Sequence, residues 1–320
     1  MTPSTRFRPL LAACALLGGG FAHAQSNVVI SGSMDMGVFR DTAGRTNVGT
    51  IQRSHLEFAG TEDLGGGLAA TFRLRHRFDA DTGASEAGTG RPFWHGESTV
   101  GIKGGFGALR LGRALDAIQA HDWAFDAWSN YDRIVSPAWD LWHWNYSADP
   151  AGGGSGRVAN AVFYDSPKFS NVSLHISASP ESPEGAVAKT RAATLLYNDG
   201  KLRMMLGSGK NSAAATETLA GVRATFGKLS LMGVYNISET LAGSKAKVTT
   251  LGAVYVMGAT TFKAGWGQAD IDGVKQRRMV SVSTGYSLSK RTTVYADLAS
   301  KRILGKGTKE VYGVGMTHSF

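Results

Sequence analysis

From residue 27 onward, apolar and polar positions alternate with a period of two in segments of about ten residues, so successive side chains lie on opposite faces of extended strands. The last segment is the clearest. Tyr312, Val314, Met316, His318 and Phe320 share one face, and Val311, Gly313, Gly315, Thr317 and Ser319 share the other. Val294, Ala296 and Leu298 oppose Thr293, Tyr295, Asp297 and Lys301, and Phe262, Ala264 and Trp266 oppose Thr261, Lys263, Gly265 and Gly267. Leu68, Ala70, Phe72 and Leu74 oppose Thr71, Arg73, Arg75 and Arg77. Cut at its turn residues, the pattern predicts sixteen strands over 27–40, 51–62, 68–78, 93–103, 108–113, 157–165, 171–179, 189–198, 201–208, 216–226, 229–238, 247–256, 259–269, 277–288, 291–301 and 309–320. Tight turns at 63–67, 104–107, 166–170, 198–200, 227–228, 257–258 and 289–290 alternate with longer polar connections.

The alternation fits two folds, a soluble β-sandwich with its apolar face inside and a membrane barrel with its apolar face outside. Three features favour the barrel. The polar faces are rich in Gly and Ser, aromatic residues recur near the ends of apolar faces, and the turns are alternately short and long. Composition agrees. Gly accounts for 42 of 320 residues, about twice the usual ~7%, with only 8 Pro. No run of ~20 apolar residues exists beyond the first 25 positions, which excludes helical spans. A single Cys excludes a disulfide scaffold, and 42% hydrophobic residues argue against disorder.

The N-terminus has the form of a processing signal. Arg6 and Arg8 supply the positive region, Leu10 to Leu17 a short apolar core, and Ala22-His23-Ala24 a small-residue cleavage site. Residues 1–24 are therefore expected to be a signal peptide and 25–320 the mature barrel. Leu11-Ala12-Ala13-Cys14 also reads as a lipobox, although only about five apolar residues precede Cys14, against the ~7–15 of an apolar core. Cleavage after Ala24 would remove the cysteine and two of the charges behind the net +9.

Four segments carry a family resemblance. Leu56-Glu57-Phe58-Ala59-Gly60-Thr61-Glu62-Asp63-Leu64-Gly65-Gly66-Gly67-Leu68 looks like the second and third strands of Gram-negative porins of the neisserial and β-proteobacterial type. Gly101-Ile102-Lys103-Gly104-Gly105-Phe106-Gly107-Ala108-Leu109-Arg110-Leu111-Gly112-Arg113 resembles the next signature of that family. Asn160 to Phe169 resembles a third, and Tyr286 to Thr292 with the terminal Phe320 resembles the end. The marks span the mature chain in family order. The resemblance implies an all-β, 16-stranded antiparallel transmembrane β-barrel with an inward-folded third loop. It implies a homotrimer in the outer membrane that passes small hydrophilic solutes and ions by diffusion. Lipopolysaccharide and the barrel-assembly machinery are the further partners implied, and Phe320 resembles the terminal aromatic that this machinery reads.

Strand parity places Arg73, Arg75 and Arg77 on one polar face, with Arg110, Arg203, Arg223 and Lys263 inward on other strands. Arg113 falls on the outward parity and is left unassigned. The longest connection, 114–156, lacks strand alternation and suits a functional loop. By position it matches the family's third, constricting loop. It carries Asp116, Asp122, Asp126, Asp132, Asp140 and Asp149 against Arg133 alone, together with Trp123, Trp128, Trp139, Trp142 and Trp144. An acidic loop facing an arginine wall would set a field across the channel and bias ion traffic toward anions. The tryptophans would pack the loop on the wall or form a stacking track for aromatic or sugar solutes. His55 stands where the family usually has Arg, Glu57 where it usually has Gly, and Arg73 and Arg75 where it usually has polar or acidic residues.

Catalytic and nucleotide motifs are poor. Gly207-Ser208-Gly209-Lys210 lacks P-loop spacing, and Gly152 to Gly156 lacks a strand-to-helix context. The eight His show no metal-site spacing, and His175 reads as a wet polar residue. No catalytic residue, cofactor, metal or nucleic-acid partner is expected. Besides a general diffusion pore, the sequence admits an occluded barrel acting as adhesin, receptor or anchor, and a substrate-specific channel using the Trp-rich loop.

Overall fold

The computed structural model describes residues 27–86, 91–150, 156–181 and 184–320. The expected signal segment 1–24, with Cys14, lies outside them. The strands are β1 (Asn27–Arg40), β2 (Thr46–Gly49), β3 (Ser54–Gly65), β4 (Leu68–Phe78), β5 (Glu97–Gly104), β6 (Gly107–Leu115), β7 (Arg157–Asp165), β8 (Val172–Ala178) and β9 (Arg191–Asn198). They continue as β10 (Leu202–Lys210), β11 (Thr216–Phe226), β12 (Leu229–Glu239), β13 (Lys245–Met257), β14 (Thr260–Ile271), β15 (Val274–Ser287), β16 (Thr292–Ile303) and β17 (Gly307–Ser319). Each long strand pairs antiparallel with its neighbours in sequence, and β1 pairs with both β3 and β17, which closes the sheet. The seventeenth strand is β2, a four-residue arm on the loop end of β1. The spanning count is therefore the sixteen expected.

The closed sheet satisfies every strand edge, as crossing hydrocarbon requires. Its outer face is apolar: Val100, Ile102, Leu109, Leu111, Leu251, Val280, Val282, Leu298 and Val314 are all exposed. A girdle of exposed aromatics marks the short-turn end, with Phe106, Phe169, Phe226, Tyr286 and Phe320 beside the tight turns or the chain end. Phe320 exchanges backbone hydrogen bonds with Gly32 at the seam, 3.0 Å each way.

The core is inside the barrel, and the connection after β6 builds it. In this loop Ile118, Phe125, Trp128, Val135, Leu141 and Trp142 are buried against inward residues of the later strands, among them Leu219, Val248 and Met279. The loop contains a 3-10 turn over Asp122–Phe125 and one α-helical turn, α1 (Pro137–Leu141), with Pro at its start and Ser136 Oγ accepting the Trp139 N–H at 3.1 Å.

Candidate functional site

The two halves of the lumen differ. Across β3–β8 the inward positions carry alternating charge. Glu57 on β3 pairs with Arg75 and, at 3.5 Å, with Arg73, both on β4. Arg73 reaches Glu97 on β5 at 3.6 Å. Arg110 on β6 bridges Glu97 at 3.0 Å and Asp165 on β7 at 3.1 Å. Asp165 holds His175 on β8 at 2.7 Å. Strand pairing produces this ladder directly, since Glu57 and Glu97 are both cross-strand partners of Arg75. Arg77 pairs with Glu86 beyond the strand end, and Arg133 bridges Glu86 and Asp79 at 2.8 and 2.9 Å. Desolvation would raise the Glu86 carboxyl, but His95 Nε2 at 3.5 Å together with Arg77 and Arg133 outweighs it and holds the carboxyl below the usual range.

The opposite half is a seat for the loop. A Cβ on Gly221 would lie 2.8 Å from the Phe125 ring, and one on Gly265 2.6 Å from the Trp128 ring. Polar locks join the same surfaces: Trp128 Nε1 donates to Ser283 Oγ at 2.7 Å and Trp142 Nε1 to Thr250 Oγ1 at 3.1 Å. His143 lies between two carboxylates, Asp122 on the loop and Glu217 on β11, each at 2.8 Å. Burial opposes the charged imidazolium, but these neighbours outweigh it and hold His143 well above its ordinary value.

The acidic loop facing an arginine wall is corrected by these contacts. Asp126 Oδ2 accepts from the Trp128 and Asn130 N–H groups and from Ser136 Oγ, each at 2.9 Å. Asp132 Oδ1 accepts from the Ile134 and Val135 N–H groups, and Asp116 Oδ1 from those of Ile118 and Gln119. Burial pushes Asp116 up to about 7 and raises Asp122, Asp126 and Asp132 as well. Asp140 pairs with Arg277 and Lys301, and Asp149 with Ser212. The loop aspartates are turn formers and anchors, and the acids that meet the arginine strip are Glu57, Glu97, Glu86 and Asp165.

Between the two halves lies a cavity of ≈ 540 Å³, lined by Arg53, Arg77, Arg133 and Arg157, by Asp79 and Glu86, and by Trp123, Tyr131 and Trp139. A second cavity of ≈ 340 Å³ lies toward the short turns, lined by Arg203, Arg223 and Trp123. Arg203 and Arg223 are direct cross-strand partners, and among the described residues no carboxylate bridges either one. Lys263 also faces the loop. The five loop tryptophans divide. Trp128 and Trp142 are 3% and 6% exposed, while Trp123, Trp139 and Trp144 keep 45%, 40% and 37%.

A sixteen-strand closed barrel with a charged lumen and an inward-docked loop is the setting for comparison with known proteins. A family described as Gram-negative porin matches residues 10–304. The chain belongs to the Gram-negative porin family. Outer membrane porin protein 32 of Delftia acidovorans is 28% identical over 340 residues, covering 97% of this chain and 95% of that protein. Major outer membrane protein P.IB of Neisseria meningitidis serogroup B is 29% identical over 169 residues, about half of each chain. An anion-selective porin from Comamonas acidovorans aligns with a TM-score of 0.78 and 26% identity, covering 92% of this chain and all of that one. This porin is thus an outer-membrane channel protein for passive diffusion.

The sequence signals for the porin site were partial. Period-two parity places Arg73, Arg75, Arg77, Arg110, Arg203, Arg223 and Lys263 on the lumen side, together with His55, whose Nδ1 meets Ser33 Oγ at 3.1 Å. Glu97 lies on the inward parity of β5 and is a lumen residue that the sequence reading does not single out. Glu86 and Arg53 lie in connections, where parity says nothing. Arg113 is buried after a register shift between Gly112 and Ala114, which explains its ambiguous parity. His175 is bound by Asp165 and by Ser173 at 2.9 Å, a correction to its reading as a wet residue. Among the described residues one trio brings metal-ligand types together, His121 with Asp165 and His175. Arg110 holds the other oxygen of Asp165, and both His175 nitrogens already have protein partners.

Proposed function

We propose that the porin conducts small ions and hydrophilic solutes with a weak preference for anions. The observation that carries the preference is the Arg203–Arg223 pair. Like charges directly across a strand pair repel, and two lumen-facing guanidinium groups without a bridging carboxylate project positive potential into the channel. Arg73 adds to it, with about half of its side chain exposed and only long contacts to Glu57 and Glu97. The ladder on β3–β8 is close to neutral in pairs, which keeps the preference weak. The similarity to an anion-selective porin points the same way.

The proposal includes a homotrimer, contact with lipopolysaccharide on the apolar and aromatic outer face, and Phe320 as the residue read during assembly. In planar bilayers it predicts ohmic openings in groups of three. Single openings would remove the trimer, and a silent barrel would remove the pore. For assembly, Phe320→Ala is expected to slow membrane insertion with little effect on the conductance of the channels that do insert.

A further inference from the structure

We propose that the cavity around Arg53 is a binding subsite for small aromatic carboxylates, molecules of the benzoate class, on the path through the pore. The inference deepens the diffusion-channel reading and rests on it. Its starting point is Arg53, in the connection before β3. The Arg53 guanidinium lies 4.9 Å from the Tyr131 ring centroid and 5.0 Å from that of Trp139. Its Nε is buried without a hydrogen-bond partner, and among the described residues no carboxylate forms a salt bridge to it. The nearby carboxylates are committed elsewhere: Glu86 to Arg77 and Arg133, Asp79 to Arg133, and Asp122 to His143. The cavity therefore offers a stacked guanidinium that no carboxylate of the described residues bridges, and an incoming carboxylate would engage it through charge-assisted hydrogen bonds.

The rest of the lining selects the body of the ligand. Trp139 and Trp123 leave large faces uncovered inside the barrel, although the same loop buries Trp128 and Trp142 almost completely. Packing the loop accounts for the second pair, whereas Trp139 stacks on Arg53 and Trp123, held by its Nε1 on the Ala120 carbonyl at 2.8 Å, turns an open face to the cavity. Flat aromatic faces beside a cation suit a flat anion, which takes the ring by stacking and the charge by the guanidinium. At ≈ 540 Å³ the cavity is within the usual range of small-molecule sites, about 300–1,000 Å³. Trp123 also lines the second cavity with Arg203 and Arg223, so a ligand leaving the first site meets another aromatic–arginine surface on its way to the short-turn end.

The test uses full-length purified protein and three probes: benzoate, cyclohexanecarboxylate and acetate. In planar bilayers, benzoate should reduce the chloride current at a concentration about tenfold lower than acetate, with cyclohexanecarboxylate between them. Arg53→Gln should raise the benzoate concentration needed by about tenfold, read as fractional block of the variant's own open-channel current. Trp139→Leu should bring benzoate close to cyclohexanecarboxylate and leave acetate unchanged. Equal block by the three probes, or no effect of Arg53→Gln on benzoate, would overturn the subsite while leaving the pore standing. Calorimetric titration of benzoate into the detergent-solubilised protein separates the two readings. Binding that depends on Arg53 in a barrel that passes no current would keep the subsite and reject the pore. No heat above that of acetate would reject the subsite.

Discussion

The two halves of the lumen solve different problems with the same strand geometry. On β3–β8 a row of lumen-facing positions carries long charged side chains that pair across strands, Glu57 with Arg75 and Glu97 with Arg110, and a small apolar cluster, Val158, Ala161 and Phe163 on β7 with Tyr146 and Ala148, ties this half to the loop. On β10–β17 most inward positions meet the loop, and the chain fills these with Gly, small polar residues and buried apolar side chains such as Leu219 and Val248, while Arg203 and Arg223 line the second cavity beside it. One half is mainly a charged surface, the other mainly a core. Glycine in this barrel therefore has two uses, tight turns such as Gly227 at φ +59° and sockets such as Gly265 under Trp128.

The contrast is broken most severely by removing the charge that fastens the loop to its seat. His143→Ala leaves Asp122 and Glu217 facing each other without the imidazolium. Loss of one member of a buried charged group costs about 3–5 kcal/mol, so the thermal unfolding midpoint should fall by several degrees and the open-channel current should become noisy. A midpoint equal to the wild type would show that the loop is held by apolar packing alone. Next comes the socket: Gly265→Val drives a methyl-bearing Cβ into the Trp128 ring, and overpacking of this kind costs about 1–3 kcal/mol. Heat denaturation should register it, and the conductance should rise as the loop shifts.

A pH series sharpens the same contrast, because the loop half titrates. His143, raised well above its ordinary 6.5, contributes stability that is whole below that value and is lost as pH climbs through the raised one. Asp116, raised from 3.8 to about 7, favours the folded state while protonated, and this contribution drains between about pH 4 and 7. Both signs agree: loop docking is firmest in acid and weakens toward alkaline pH. Open-channel noise should increase from pH 5 to 9 in the wild type, and much less so in His143→Ala. The smallest effect expected is that of Trp142→Phe, which removes the hydrogen bond to Thr250 and keeps the ring, at a cost of about 1 kcal/mol in the unfolding free energy.

How much of this was legible in the sequence follows from the same division. Parity alone places the long strands, their outward apolar rows and nearly all the lumen-facing cations, since a period of two leaves no freedom in where Arg73 or Arg223 points. It does not reveal charge partners, because these depend on register between strands. The pairing of Glu57 with Arg75 is set by pairing across a shifted turn at Asp63 and Gly65. The loop resists reading more strongly. Its aspartates, spaced along an irregular segment, look like a charged surface, yet Asp126 and Asp132 turn inward to accept backbone N–H groups at 2.9 Å. Ser283 and Thr250 lie far from the loop in sequence, so the split of the tryptophans into buried and open sets emerges only in three dimensions.

The reversal potential in a KCl gradient tests the central claim most directly, because it requires the barrel to conduct and then reads the sign of its unpaired lumen charge. The wild type should reverse on the anion side. Arg203→Gln with Arg223→Gln should move the reversal toward cations, and so should Arg73→Gln with Arg75→Gln, by stripping the ladder of its cations. Glu57→Gln should move it further toward anions. A wild-type channel that reverses at zero or on the cation side, unmoved by the loss of Arg203 and Arg223, would contradict the account.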